Sequence, residues 1–310
     1  MKSILIIGGS GFIGKNIVEA LVGVECNIVL ITRQLGFDQF KKNSTIKVIK
    51  GNLNDTHLIK SIILDYGIEV ILHLASNLIP SSVKSQFDEE MQDIVLPTFE
   101  ILNYISDKNI KIIYFSSGGT IYGKVDGKVF EGSELEPINY YGYSKLIIEN
   151  HIQLLSRIAD LRYVILRPSN VYGKYQRLES KQGFIAVAIG KILSNQSVEI
   201  WGDGNTTRDY VDVLDVAEAV KGIIQENIED QIFNLGSGEG YSLLEVIAYI
   251  EKHLQRSANV IFKRKREVDL DKMTLDISKL QSYIKYKPIR LNEGIKNFIT
   301  YLEQVKSDDQ

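Results

Sequence analysis

The sequence predicts an α/β fold, a doubly wound parallel sheet with a smaller, interleaved C-terminal lobe. Three observations lead to this prediction. Short β-rich runs alternate with longer amphipathic segments in the first half, a glycine-rich turn follows the first run, and no Ser/Gly/Pro-rich linker divides the 310 residues. Because the alternation loosens after Pro168, we expect one lobe of residues 1–165 and a second of residues 166–310, with some elements interleaved.

The elements of the first lobe follow from their hydrophobic patterns. β-rich runs predict strands at 4–7, 27–33, 46–50, 70–73, 111–116 and 163–166. Apolar residues at helical spacing predict helices at 11–21, 55–65, 90–107 and 141–158. Parallel strands need long crossover connections, and these segments are long enough to supply them.

The second lobe has a less regular pattern. Strands are predicted at 197–201 and 231–235, and helices at 184–193, 213–225, 243–254 and 291–305. Trp201, at the end of one of these strands, is interpreted as an aromatic residue that packs between the lobes.

The composition excludes several classes of protein. With 44% hydrophobic residues and a net charge of −3, the chain is not disordered, and we expect no nucleic acid partner. The single cysteine, Cys26, cannot form an internal disulfide, and the four histidines lack metal-ligand spacing, so we expect no metal. No run approaches the roughly 18 apolar residues of a membrane span, and the N-terminal run is too short for a signal-peptide core. These features predict a cytoplasmic protein without a membrane partner.

A glycine-rich turn links the first strand to the first helix. Gly8, Gly11 and Gly14 form a GxxGxxG pattern, in which missing Cβ atoms permit a tight turn and the close approach of a pyrophosphate. The N–H groups of the helix that begins around Phe12 and Ile13 add positive potential. This context predicts a Rossmann-type dinucleotide site.

The next two strand ends bear on whether the cofactor is NAD or NADP. An acidic residue after the second strand would bind the ribose of NAD, but Thr32 and Arg33 stand there. Arg33 either pairs with a 2′-phosphate, which favours NADP, or is a solvated loop charge. Asn52, followed by Leu53, either contacts the adenine or is an ordinary turn residue.

A tyrosine–lysine pair indicates hydride chemistry at an alcohol or ketone. Tyr141 and Lys145 share one face of a predicted helix. A phenol with a pKa of about 10 is a poor base at neutral pH. Because a nearby ammonium and a cationic nicotinamide favour phenolate, we expect the pKa of Tyr141 to fall towards the working range. Ser116, Ser117 and Thr120 follow a buried strand and carry hydroxyls that could polarise the reacting oxygen.

Together these motifs resemble the extended short-chain dehydrogenases, in particular the NAD-dependent epimerase/dehydratase family and its UDP-glucose 4-epimerase group. The resemblance covers about residues 1–300. Besides the glycine turn and the Tyr141–Lys145 pair, it rests on His73-Leu74-Ala75, Ser116-Ser117, Ile121-Tyr122-Gly123, Leu166-Arg167-Pro168, Asn170-Val171-Tyr172-Gly173, Gly202-Asp203-Gly204, Arg208-Asp209-Tyr210-Val211, Asn234-Leu235-Gly236-Ser237-Gly238 and Asp276-Ile277-Ser278-Lys279.

The resemblance implies roles for the matching positions. Tyr141 is expected to be the base and Lys145 its partner. The cofactor is also expected to contact Leu74, Ala75, Ser76, Ser116, Tyr141, Lys145 and Pro168. A nucleotide-diphosphate sugar is expected to contact Asn170, Gly183, Phe184, Arg208 and Arg266. The resemblance further implies a homodimer in which helices 90–107 and 141–158 of two subunits form a four-helix interface.

Two departures from the family pattern bear on the reaction. The usual Ser or Thr five residues before Gly123 is replaced by Gly118, which leaves Ser117 or Thr120 as the substitute. Gly119 and Thr120 stand where dehydratases of the family carry Asp-Glu, so a 4,6-dehydratase is disfavoured.

Three functions remain open. The first is a nucleotide-sugar 4-epimerase, which oxidises C4 transiently and returns the hydride through tightly bound NAD. The second is an NADPH-dependent nucleotide-4-keto-6-deoxysugar reductase, which Arg33 favours. The third is a catalytically inactive cofactor-binding scaffold, against which the intact Tyr141 and Lys145 argue.

Overall fold

The computed structural model describes residues 2–33, 43–180, 182–264 and 272–308. Within these ranges the strands are β1 (Lys2–Ile7), β2 (Cys26–Thr32), β3 (Ile46–Lys50), β4 (Val70–His73), β5 (Lys111–Phe115), β6 (Asp126–Val129), β7 (Tyr163–Pro168), β8 (Asn170–Tyr172), β9 (Val198–Trp201), β10 (Thr207–Asp212), β11 (Gln231–Leu235), β12 (Gly240–Ser242), β13 (Val260–Lys263) and β14 (Lys272–Leu275). The helices are α1 (Phe12–Leu21), α2 (Thr56–Asp65), α3 (Lys84–Glu90), α4 (Leu96–Ile105), α5 (Tyr140–Ala159), α6 (Phe184–Leu193), α7 (Val213–Gln225), α8 (Leu243–Leu254), α9 (Ser278–Tyr283) and α10 (Leu291–Asp308).

Within the described ranges, seven strands form a central sheet whose pairings are all parallel. Their order is β11-β7-β5-β4-β1-β2-β3. The chain runs outwards from β1 to β3 and then returns to β4 on the other side of β1. Such a reversal opens a crevice at the carboxyl ends of the strands, where ligands bind. The prediction of a parallel α/β sheet is confirmed.

The side chains of β1 show that helices cover both faces of this sheet. Ile4 and Ile6 belong to an apolar core that α1 and α7 also line. Leu5 and Ile7 belong to a second core, on the other face, that α2, α4 and α5 line. Because successive side chains of a strand point to opposite faces, a strand covered on both sides is apolar throughout.

The second lobe is built on β10. This strand lies between β12 and β14 and also pairs with β8, while β6 pairs with β14. A separate pair joins β9 to β13, and α6, α8 and α10 share a third apolar core. The lobes are interleaved, because β6 comes from the first half, β11 joins the central sheet, and α7 packs against α1 on one face of that sheet. None of the described helices is long and apolar enough to cross a membrane.

The helix predicted at 90–107 is irregular. Lys84–Glu90 is α3, a π-helical turn occupies Met91–Val95, and α4 follows from Leu96. Pro97 gives a physical reason, because proline has no N–H to donate to the carbonyl four residues earlier and its ring crowds that carbonyl. The helical prediction is therefore right in type and wrong in its start and regularity.

The other predicted helices and strands are present with bounds shifted by at most a few residues. The elements that the patterns did not predict are β6, β8, β10, β12, β13, β14, α3 and α9. These strands have three to six residues, and several expose polar side chains, so their hydrophobic periodicity is weak.

Candidate active site

The glycine turn lies at the carboxyl end of β1, where the strand order reverses. Gly8 has a φ of +85°, and a Cβ atom there would come within 2.9 Å of the backbone nitrogen of Ala75. A Cβ atom on Gly14 would come within 2.6 Å of the Cα of Gly9. Side chains at these two positions are therefore excluded by backbone, not by movable side chains.

The start of α1 offers backbone donors to an anion. The helix begins at Phe12, and no side chain caps its N-terminus. The first N–H groups of a helix have no partner within that helix and lie at the positive end of its dipole. Gly11, Phe12 and Ile13 line a cleft that extends from this turn to Arg208, so this end of the helix faces a space that can hold a phosphate.

The residues predicted to contact the adenosine part lie at the ends of β2 and β3. Thr32 is the buried last residue of β2. Arg33 is exposed, and its Nη1 lies 3.4 Å from Oδ1 of Asn77. Asn52 is half-buried, whereas the side chain of Leu53 belongs to the apolar core. The side chains of Arg33 and Asn52 are thus more accessible to a ligand than that of Leu53.

The segments after β4 and β5 complete this side of the crevice. Leu74 and Ala75 lie against the glycine turn. The hydroxyl of Ser76 donates a hydrogen bond of 2.8 Å to the buried carboxylate of Glu90. Ser116 is buried, and its hydroxyl finds no hydrogen-bond partner among the described residues. A buried hydroxyl is normally paired, so Ser116 has bonding capacity available for a ligand.

Helix α5 brings Tyr141 and Lys145 together as their spacing predicts. Lys145 is 3% exposed, and its Nζ lies 5.7 Å from the ring centroid of Tyr141 and 5.3 Å from that of Tyr114. The side-chain oxygen of Asn139 accepts a hydrogen bond from the N–H of Gly142 at 2.8 Å and so caps the helix. Tyr141 is thereby held in the first turn, where it lines the cleft.

Burial dominates the electrostatics of this pair. Burial raises the pKa of Tyr141 to about 12, while a hydrogen bond with Ser117 opposes the rise and the charge of Glu90 adds to it. Burial also lowers the pKa of Lys145 to about 8, opposed by Glu90 and Glu149. The protein's own groups thus raise the pKa of Tyr141, because burial removes the phenol from water, and the fall expected with a bound cationic nicotinamide stays a prediction.

Ser117 is the hydroxyl that opposes the rise in the pKa of Tyr141, and Thr120 hydrogen bonds to it. Oγ1 of Thr120 donates to Oγ of Ser117 at 2.9 Å, and both residues line the cleft. Gly118 lacks a hydroxyl for a steric reason, since a Cβ atom there would come within 2.7 Å of the carbonyl oxygen of Arg167. The two substitutes that the sequence leaves open are thus linked to each other.

A cleft of about 960 Å³ extends from the glycine turn past Tyr141 into the second lobe. The predicted site residues that line it are Gly11, Phe12, Ile13, Ser117, Thr120, Tyr141, Pro168, Asn170, Gly183, Phe184 and Arg208. Nδ2 of Asn170 donates to the carbonyl of Asp209 at 2.8 Å, and Nη1 of Arg208 donates to the carbonyl of Thr207 at 2.9 Å. Gly183 precedes α6 with a φ of +95°.

The other predicted residues have different positions. Those that do not line this cleft are Gly8, Gly14, Thr32, Arg33, Asn52, Leu53, Leu74, Ala75, Ser76, Ser116 and Lys145. Most of them lie in the glycine turn or at the carboxyl ends of the central strands. Arg266 is outside the described residues, so its role as a phosphate ligand stays a prediction.

The cleft also contains residues that the sequence analysis missed. Trp201 is 39% exposed and lines the cleft, so its interpretation as an aromatic packed between lobes is wrong. Pro80, Tyr175, Gln176 and Arg177 line it as well. They lie in loops, where no hydrophobic period marks a position as facing a site.

We next considered whether His73 acts as an acid or base and whether the described residues could bind a metal ion. Nε2 of His73 lies 2.9 Å from the hydroxyl oxygen of Thr98, and burial lowers the pKa of His73 to about 3, which keeps the ring neutral. This agrees with a structural role for His73. The described part of the chain contains no cluster of three or more His, Cys, Asp or Glu side chains that could hold a metal ion.

Comparisons with known proteins give consistent results. A family model described as the NAD dependent epimerase/dehydratase family matches residues 4–236. A putative UDP-glucose 4-epimerase from Methanocaldococcus jannaschii is 34% identical over 97% of this chain and 98% of its own. A dTDP-4-dehydro-6-deoxyglucose reductase from Escherichia coli is 29% identical over 96% of each chain. The crystal structure of a UDP-glucuronic acid 4-epimerase from Bacillus cereus, with UDP-glucuronic acid and NAD, has a TM-score of 0.88 at 26% identity, covering 98% of this chain and 99% of that one.

Proposed function

The chain belongs to the NAD dependent epimerase/dehydratase family, and from this premise we propose that it is a nucleotide-sugar 4-epimerase with a tightly bound nicotinamide cofactor. One observation carries the proposal. The phenol of Tyr141 interacts with Ser117 and lies near the buried Lys145, in a cleft that also reaches the glycine turn and Arg208. A proton acceptor, a dinucleotide cradle and a cation for a diphosphate are thus combined in one space.

The residues present fit a nicotinamide dinucleotide. The cradle at Gly8 and Gly14 is kept free of side chains by backbone contacts, and the start of α1 faces the cleft. The buried hydroxyl of Ser116 has unused bonding capacity beside this cradle. When bound, the oxidised cofactor accepts and returns a hydride and adds positive charge that lowers the pKa of a nearby phenol.

The chain's own residues move the proton and hold the reacting oxygen. Oη of Tyr141 takes the proton of the sugar's C4 hydroxyl during oxidation and returns it during reduction. Ser117 lines the cleft with this phenol and can share the reacting oxygen with it, and Thr120 orients Ser117 by donating a hydrogen bond to its Oγ. Lys145 contributes a positive charge close to the phenol, which favours the phenolate form.

The second lobe provides the contacts for the rest of the substrate. Arg208 can form charge-assisted hydrogen bonds with a diphosphate, and Asn170 offers an amide next to Gly119 at the sugar end. The relatives named above act on UDP- and dTDP-linked sugars, which supports a nucleotide-diphosphate sugar as the substrate class. Arg266 remains a predicted second phosphate ligand.

A nucleotide-4-keto-6-deoxysugar reductase is the second candidate, and Arg33 is the observation that favours it. This exposed side chain stands at the end of β2, where it can pair with the 2′-phosphate of NADPH. The reductase from Escherichia coli is similar to this chain over nearly its full length. A catalytically inactive scaffold is disfavoured, because it would not need Tyr141 and Lys145 in this geometry.

One experiment separates these functions. Purified protein is denatured, and the supernatant is analysed for released NAD and NADP. Stoichiometric release, with interconversion of UDP-hexoses in the absence of added cofactor, supports the epimerase. Absence of bound cofactor, with NADPH consumption in the presence of a 4-ketosugar, supports the reductase. No turnover in either assay supports the scaffold.

The proposal includes a homodimer in the cytoplasm, with residues 1–165 mainly holding cofactor and residues 166–310 mainly holding substrate. Tyr143, Leu154 and Ile158 form an exposed apolar stripe along α5, and Leu96 of α4 is exposed beside the same helical layer. Such a stripe fits pairing with the same helices of a second subunit. The cytoplasmic location is supported by the single buried, unpaired thiol of Cys26.

A further inference from the structure

Glu90 is a buried carboxylate in a segment that packs against α5, and the proposed mechanism does not use it. It is 1% exposed and is the last residue of α3, directly before the π-helical turn. Carboxylates are almost never fully buried without specific partners. π-Helical turns within α-helices often occur at functional sites. The position of Glu90 therefore calls for an explanation.

Both oxygens of this carboxylate hold the segment that follows β4. Oε1 accepts a hydrogen bond of 2.8 Å from the hydroxyl of Ser76, and Oε2 accepts one of 2.8 Å from the N–H of Asn77. Oδ1 of Asn77 in turn lies 3.4 Å from Nη1 of Arg33. Glu90 thus fixes a turn that begins at the glycine cradle and ends beside the residue predicted to read the cofactor's ribose.

The charge of the same carboxylate also acts on the catalytic pair. Its charge opposes the fall in the pKa of Lys145 and adds to the rise in the pKa of Tyr141. The remaining titratable groups around Lys145 are Glu149, His73, Tyr114 and Tyr141. Glu149 is engaged by Arg167 at 2.7 Å, and His73 is neutral. The hydrogen-bond donors to Glu90, by contrast, are uncharged.

We infer that Glu90 is a positioning residue for the reaction: its carboxylate holds the Ser76–Asn77 turn over the cofactor cradle and supplies negative charge to the buried Lys145–Tyr141 pair. The inference rests on the proposed function, because it assigns a task only if a nicotinamide cofactor and a proton-transferring tyrosine work at this site. It joins cofactor binding and proton transfer through one side chain.

Glu90→Gln tests the charge, because it keeps the shape of the side chain. Removing a negative charge lowers the pKa of both neighbouring acids, Tyr141 and Lys145. We therefore expect the whole pH profile of kcat to move to lower pH by about one unit. Glu89→Gln is the matched control, since it removes the same charge from the adjacent, exposed position. It should leave the profile in place.

Glu90→Asp tests the two hydrogen bonds to Ser76 and Asn77, because it keeps the negative charge and shortens the side chain by one methylene group. We expect its pH profile to match that of the wild type, while the dissociation constant for the cofactor rises about 10-fold or more through weakened charge-assisted hydrogen bonds. Thermal melting tests whether each variant is folded. If Glu90→Gln does not fold, the cofactor affinity of Glu90→Asp decides whether Glu90 positions the Ser76–Asn77 segment.

The outcomes are distinguishable from failure of the proposed function. Wild-type protein that neither binds NAD or NADP nor turns over a nucleotide sugar rejects the proposed function itself, and the inference with it. If the wild type is active, folded Glu90→Gln with an unshifted pH profile, together with Glu90→Asp of wild-type cofactor affinity, overturns the role of Glu90 alone.

Discussion

Nζ of Lys145 lies 5.7 Å from the ring centroid of Tyr141, and both side chains project from the first two turns of α5. Burial lowers the pKa of this lysine to about 8 and raises that of the tyrosine to about 12. The protein alone therefore does not favour the phenolate at neutral pH. Positive charge close to the phenol is needed, and this need makes the protonation state of Lys145 the first property to test.

Activity should fall as the pH rises through about 8, the pKa of Lys145. The ammonium form is the one that favours phenolate, and it is lost above that pH. The pH dependence of kcat measures this fall, and Lys145→Arg should move it to higher pH because arginine stays charged. Lys111 serves as a control, because it is a second buried lysine whose pKa is lowered to about 8. It is the first residue of β5, whereas the active site follows the last residue of that strand. If Lys111→Gln moves the alkaline limb and Lys145→Arg does not, the assignment to Lys145 is wrong.

Gly118→Ala should destabilise the protein by about 1–3 kcal/mol, because the new Cβ atom would meet the carbonyl oxygen of Arg167 at 2.7 Å. Gly119→Ala is the matched control, since its Cβ atom would find its nearest neighbour at 3.9 Å. We expect that variant to stay within about 0.5 kcal/mol of the wild type. Urea unfolding of both proteins measures the difference. Equal stabilities would contradict the steric explanation for the missing hydroxyl.

Glu149→Ala should cost about 3–5 kcal/mol of stability, because it leaves the buried guanidinium of Arg167 without its carboxylate. The two side chains are 0% and 2% exposed, and Arg167 donates to both oxygens of Glu149, at 3.1 and 2.7 Å. Glu218→Ala removes a carboxylate that is 62% exposed beside Lys221 and should cost about 0–1 kcal/mol. Thermal and urea unfolding compare the two. A small effect of Glu149→Ala would mean that water reaches this network.

Arg33→Asp should lower the preference for NADPH over NADH by about 10-fold or more, because a charge-assisted bond to the 2′-phosphate is lost and a repulsive carboxylate replaces it. Fluorescence titration with both cofactors gives the ratio of dissociation constants. Arg157→Asp, an exposed arginine in the last turn of α5, is the charge-matched control. An unchanged ratio for Arg33→Asp identifies Arg33 as a solvated loop charge.

Local sequence patterns were sufficient for the parts of the fold that depend on neighbours along the chain. The apolar run of β1, the glycine turn and the spacing of Tyr141 and Lys145 each specify their own geometry, and the structure has them as predicted. The sequence predicted β9 and β11 but not β6, β8, β10, β12, β13 and β14, since these strands are short and several are held by pairing with distant segments, as β10 is with β14.

Properties set by burial were also out of reach of the sequence. The pKa of Tyr141 depends on how far the fold removes its phenol from water, and no local pattern reports this. The sequence pattern places Glu90 at the start of a helix, yet it is the last residue of α3 and the fold buries it. The sequence predicts that Trp201 is a packing residue, but in the fold its side chain lines the cleft.

If this chain inverts the configuration at C4 of a nucleotide sugar through Tyr141, proton NMR should detect the C4 epimer when UDP- and dTDP-linked hexoses are incubated with the purified protein and no added cofactor. We expect the C4 epimer of at least one of these sugars to appear, and to form about 10²–10⁴-fold more slowly with Tyr141→Phe, which lacks only the proton-transferring hydroxyl. Tyr143→Phe, two residues away and exposed, should retain the wild-type rate. Equal rates for wild type and Tyr141→Phe would show that this phenol does not transfer the proton, and no epimer of any of these sugars from wild type that carries stoichiometric NAD would reject the epimerase function.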